Sequence, residues 1–159
     1  MTRFMPAIPL DVPLSERCVD GVSVDASFWE GVPTAGSPGC FVFEVSRTGA
    51  RDDYLPLYVG RAERSFALDC FKSENLDTIN RSLRQSHVDF LKLILIPYPH
   101  DEGEPNQEVI AAAEWLMIHM AKAANPDLLN DKPAIPTSSG ESEGSSLVSR
   151  ASLDSVQFF

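Results

Sequence analysis

Little in this chain provides for covalent cross-linking or for membrane anchorage. Its three cysteines, Cys18, Cys40 and Cys70, are odd in number and widely separated. That argues against a disulfide scaffold or a cysteine-rich zinc site, and favours a reducing cytoplasm. No apolar run approaches the roughly 18–20 residues of a membrane span, so no membrane partner is expected. The opening MTRFMPAIPLDVPLSER lacks a compact apolar block followed by small residues, and no secretory signal is expected. Basic charge is also scarce. Thirteen Lys and Arg face 23 Asp and Glu, a net charge of −10 that argues against a uniformly basic, nucleic-acid-coating surface.

The charge is unevenly spread. Gly39 to His100 holds eight basic and eight acidic residues, so the acidity belongs mostly to the flanks and leaves room for a local basic surface. The length, 159 residues, suits one domain with tails. Residues 1–38 carry Pro6, Pro9, Pro13, Pro33 and Pro38 without sustained periodicity, which predicts an extended arm or loop. Residues 133–159 include PTSSGESEGSS and read as a Ser/Gly-rich disordered tail.

The folded unit is expected over 39–132. Cys40 to Val45 is β-branched and aromatic, a strand; Arg47 to Asp53 is turn-forming; Tyr54 to Val59 is a second strand, with Pro56 marking an edge or a bulge. Leu91 to Pro97 gives a third. Between them Leu76, Ile79 and Leu83 fall at helical spacing, which predicts a helix over 75–88. Val109, Ala113, Leu116, Met117 and Met120 predict another over 108–124, ended by Asn125-Pro126. The order β-β-α-β-α, with a hairpin, implies an α+β fold: a small antiparallel or mixed three-stranded sheet flanked by helices.

Two tripeptides and a distant glutamate then stand out. Gly39-Cys40-Phe41 opens the first strand, Tyr58-Val59-Gly60 closes the second and is followed by Arg61, Glu114 sits on the last helix, and Pro126-Asp127-Leu128-Leu129-Asn130 follows it. This series resembles the GIY-YIG nuclease superfamily over about residues 39–130, most specifically in PLYVGRAERS. The resemblance implies hydrolysis of phosphodiester bonds in DNA with one divalent metal, Mg²⁺ (or Mn²⁺), held by a single helical glutamate. Hard cations keep several waters, so one carboxylate suffices. Glu114 matches that ligand, and Tyr58 the tyrosine that activates or positions water. Arg61 stands where many members carry lysine and is a candidate for phosphate contact. Gly60 would let the backbone approach the substrate, and Asn130 matches the polar residue ending the family core.

The match has departures. Phe41 replaces the first tyrosine. Leu68 and Asp69 stand where the family places its catalytic arginine, and an aspartate beside a phosphate would add repulsion. Arg64, Arg81 and Arg84 are the candidate substitutes, and the intrinsic pKa of His87 would suit a general base. Outside the motif each of these residues has a plainer reading: Tyr58 as core packing, Glu114 as a solvated helix border, the arginines as exposed loop or helix residues, His87 as a packed histidine. Three functions are therefore weighed: a metal-dependent endonuclease; a catalytically impaired domain of the same kind that binds nucleic acid or protein, its acidic flanks meeting a basic partner; and an unrelated α+β interaction protein.

Overall fold

The computed structural model describes residues 5–14, 22, 24–47, 53–85, 88–99 and 104–130. The elements run β1 (Ile8–Val12), a 3₁₀ turn (Ala26–Trp29), β2 (Gly39–Arg47), β3 (Tyr54–Ala62), α1 (Phe66–Asp69), α2 (Ser73–Gln85), β4 (Val88–Pro97) and α3 (Gln107–Ala124). The fold is α+β, built on a four-stranded sheet in the order β1-β4-β2-β3, antiparallel at every pairing.

The three-stranded expectation is corrected by β1. The arm predicted over 1–38 supplies an edge strand, Ile8 pairing with Leu95 and Val12 with Leu91. Pro9 is compatible with this because an edge strand has one side where a missing N–H breaks no ladder. The same arm brings Phe28 and Trp29 against Phe71, with ring centroids 5.3 and 5.8 Å away, and Phe71 in turn meets Phe43 of β2 at 5.7 Å. Residue 39 is therefore not the start of the folded unit. The tail predicted over 133–159 lies outside the described residues.

The sheet is covered on both sides. Phe41 and Phe43 of β2 and Leu91, Leu93 and Leu95 of β4 point to the side where Phe66, Ile79 and Leu83 of α1 and α2 pack. Val42 and Val59 point the other way and meet Met117, Ile118 and Ala121 of α3. Burial on two faces explains why β2 and β4 read as nearly continuous apolar runs rather than strict alternations. Pro56 predicts an edge or a bulge, and β3 has both: it is an edge strand, with a register shift between Phe43↔Tyr58 and Glu44↔Pro56.

β3 is the other edge, and the chain after α3 covers it. Asn125 Nδ2 donates to the Pro56 carbonyl at 2.8 Å, Leu129 N to the Leu57 carbonyl at 2.9 Å, and Asn130 takes both backbone groups of Val59. These bonds occupy donors and acceptors that an open edge would offer to another strand. Among the described residues no helix is long and apolar enough to cross a membrane.

Candidate functional site

The two tripeptide segments are neighbours. Phe41 pairs with Gly60 across the β2–β3 ladder, and Gly39 with Ala62. Gly60 is needed for packing: a Cβ there would run into the Phe41 ring, whose Cε2 lies 2.7 Å from its ideal position. The space that a substrate backbone would use above Gly60 on this face is filled by the fully buried Phe41. Gly39, with φ of 156°, admits Phe66 Cζ at 2.9 Å and Pro97 Cα at 3.0 Å from where its Cβ would stand.

Strand alternation divides the candidate residues. Tyr58 shares the α2 side with Phe43, and its hydroxyl donates to Asn75 Oδ1 of α2 at 3.1 Å. Asn75 Nδ2 donates onward to the carbonyls of Asp69 at 3.0 Å and Cys70 at 3.2 Å, so the amide orientation is fixed by both ends. Desolvation raises the Tyr58 pKa, and the charges of Glu114 and Glu74 raise it further. The phenol is accordingly protonated at neutral pH.

Arg61, three residues on, shares the opposite side with α3. Its guanidinium pairs with Glu63 Oε1 at 3.1 Å and Glu114 Oε2 at 3.6 Å. The Glu114 side chain is half-buried, and desolvation raises its pKa; Arg61 opposes that shift and Glu63 adds to it. Beneath this pair Cys40 donates to the Ile110 carbonyl, and burial, assisted by Glu114, pushes its thiol up to about 12, which removes it as a nucleophile.

Asp69 is not the repulsive group that linear spacing implies. Its side chain is 0% exposed and accepts from Arg64 N at 2.9 Å, Arg64 Nη2 at 3.2 Å and Lys72 Nζ at 2.8 Å. Desolvation pushes its pKa up, but the bonds from Lys72 and Arg64 outweigh it and bring the carboxyl down to about 2. An ordinary ST cap, Ser65 accepting from Leu68 N, starts α1 immediately before it.

A nuclease site needs Tyr58, Glu114 and one of Arg64, Arg81 or Arg84 around one space, and the structure brings them together only in pieces. Arg64 reaches Tyr58 through Asp69 and Asn75; Glu114 takes Arg61 instead. Arg81 and Arg84 line an open hollow of about 320 Å³ with Asp77, Asn80 and Gln85. Arg84 is nine residues past Asn75, roughly half a turn round the helix and 14 Å along it, so it faces away from Tyr58. His87 lies outside the described residues. Asn130 spends both ends of its amide on Val59, at 2.8 and 2.7 Å. Asn75 and Lys72 are site residues that no pattern in the sequence marks; an asparagine in the first turn of a helix and a lysine before it are ordinary surface choices.

The donors present suit only one kind of metal. Among the described residues no group of three or more His, Cys, Asp or Glu side chains assembles into a metal site. Glu114, with Glu63 sharing its arginine, offers carboxylate oxygens alone, which fits a hard cation retaining its water and not a closed zinc site. No family model, no curated protein and no solved structure matches the chain.

Proposed function

We propose that this chain is a GIY-YIG-like, metal-dependent endonuclease hydrolysing phosphodiester bonds in DNA. The Arg61–Glu114 pair carries the reading: it sets a half-buried carboxylate and a partly exposed guanidinium side by side just past the Tyr58-Val59-Gly60 strand. The antiparallel pairing of the two tripeptide strands, with Gly39 opposite Ala62 and Cys40 opposite Arg61, supports it as well.

Glu114 is the residue that would hold Mg²⁺ or Mn²⁺, which when bound polarises the phosphate and acidifies water. The remaining work belongs to the chain. Arg61 is 38% exposed and balances charge on the non-bridging phosphate oxygens as the attacking water forms its bond to phosphorus and the ester oxygen leaves. Tyr58, on the α2 side, stays a phenol whose proton is directed to Asn75; it holds β3, and with it Arg61, in place rather than touching the reacting water.

A second reading, a domain that binds nucleic acid or protein without cutting, is favoured by the same pair, since Arg61 occupies the acid that a metal needs. Nicking of supercoiled and branched DNA with Mg²⁺ or Mn²⁺ separates the two. Glu114→Ala is expected to slow cleavage at least about 100-fold, and Tyr58→Phe to slow it less. Equal cleavage by parent and Glu114→Ala overturns the nuclease reading; DNA binding with no cleavage by the parent supports the second.

A further inference from the structure

We propose that Arg64 and Lys72, mounted on the buried carboxylate of Asp69, form a fork that receives a backbone phosphate of duplex DNA. The proposal rests on the nucleic-acid reading above for the identity of its ligand.

The geometry is that of a built cationic seat. Both head groups contact the same oxygen, Asp69 Oδ1, at 3.2 and 2.8 Å, and the Arg64 backbone N–H holds the other, Oδ2, at 2.9 Å. Contact with one oxygen at 3.2 and 2.8 Å keeps the two nitrogens within about 6 Å of each other, a span that donors to two oxygens of one phosphate can occupy. The acid beneath is inaccessible, whereas the Arg64 side chain is 66% exposed and that of Lys72 43%. Solvent meets the two positive groups and not the negative one that orders them. A free lysine and arginine would lose side-chain entropy on gripping a phosphate; here Asp69 has already taken part of that cost during folding.

Charge is also sorted along a short stretch of chain. Arg61, Glu63 and Glu114 form a cluster with one more acid than base, and Arg64, Lys72 and Asp69 a cluster with one more base than acid. Glu63 and Arg64 are consecutive, so the chain itself links the two clusters where β3 ends. The acidic one suits a cation and the basic one a phosphate, the two charges that a metal-assisted phosphodiester site has to hold together.

The test is binding of a short fluorescein-labelled DNA duplex, followed by anisotropy over a salt series in EDTA, so that cleavage cannot enter. Arg64→Gln and Lys72→Gln are each expected to lower the slope of log affinity against log salt by about 1, while Arg84→Gln, on the far side of α2, leaves it unchanged. Unchanged slopes in both fork variants, or no salt-dependent binding by the parent, overturn the fork. Reduced slopes in a chain that never nicks DNA remove the nuclease reading and leave the fork standing.

Discussion

Asn130 holds the backbone of Val59 from outside the sheet: its Oδ1 accepts from Val59 N at 2.8 Å and its Nδ2 donates to Val59 O at 2.7 Å. One side chain thereby replaces the two bonds of a missing neighbour strand, at the strand that carries Tyr58 and Arg61. Asn130→Ala should cost about 1–3 kcal/mol, because it strands two polar backbone groups at a part-buried edge. Urea denaturation measures this, and Asn130→Asp should recover little, since a carboxylate accepts from Val59 N but cannot donate to Val59 O. A loss below the error of the measurement would show that water satisfies this edge equally well.

The tyrosine absent from the first tripeptide has a packing explanation. The Phe41 ring lies on Gly60 with its para carbon, the site of a tyrosine hydroxyl, nearest to the glycine, and the side chain is 0% exposed. Phe41→Tyr should therefore destabilise the fold by about 1–3 kcal/mol, the cost of a buried unpaired hydroxyl, and bring no gain in nicking. Gly60→Ala should cost at least as much through overpacking. Combining it with Phe41→Leu should return part of the loss, an interaction that a double-mutant cycle reads directly.

The sequence is most informative where one physical pattern dominates. Helical spacing gives α2 and α3, β-branched and aromatic runs between turn residues give the β2–β3 hairpin and β4, and Pro56 marks the edge strand and its bulge. The strand β1 escapes because five prolines in 1–38 weigh against a strand, although Ile8, Leu10 and Val12 do alternate and Pro9 is harmless at an edge. The aromatic cluster of Phe28, Trp29 and Phe71 has no period at all, since its members sit on a 3₁₀ turn and beside the four-residue α1. At the site, residue types are legible and partners are not. Spacing can nominate Glu114 and Arg61 but cannot pair them. It makes Asp69 a source of repulsion because burial and the approach of Lys72 are tertiary facts.

Acid stability follows from Asp69. Its pKa falls from an ordinary 3.8 to about 2, so the folded state favours the ionised form. The resulting stabilisation is fully present above the unfolded value and is lost as pH falls through the folded one. After allowance for solvent around the exposed Arg64 and Lys72 heads, this is worth about 1–2 kcal/mol, lost between about pH 4 and pH 2. Thermal melts across that window should show Asp69→Asn losing less stability than the parent as acid is added. Parallel loss in both would assign the acid sensitivity to other carboxylates.

Glu114 should behave in the opposite sense. Burial raises its pKa, so keeping it ionised costs folding free energy; its contribution favours the fold below the unfolded pKa and is lost as pH rises through the folded one. Near neutral pH, Glu114→Gln should therefore melt at or above the parent temperature, with Arg61 still held by Glu63 at 3.1 Å. A carboxylate kept only for an ion pair would give a lower melting temperature when neutralised. Mg²⁺ should raise the parent's melting temperature by mass action and leave Glu114→Gln unmoved. A stable Glu114→Gln that has lost both this metal response and nicking would mark Glu114 as a residue retained for its chemistry at the expense of the fold; a marked drop in its melting temperature would make it a structural partner of Arg61.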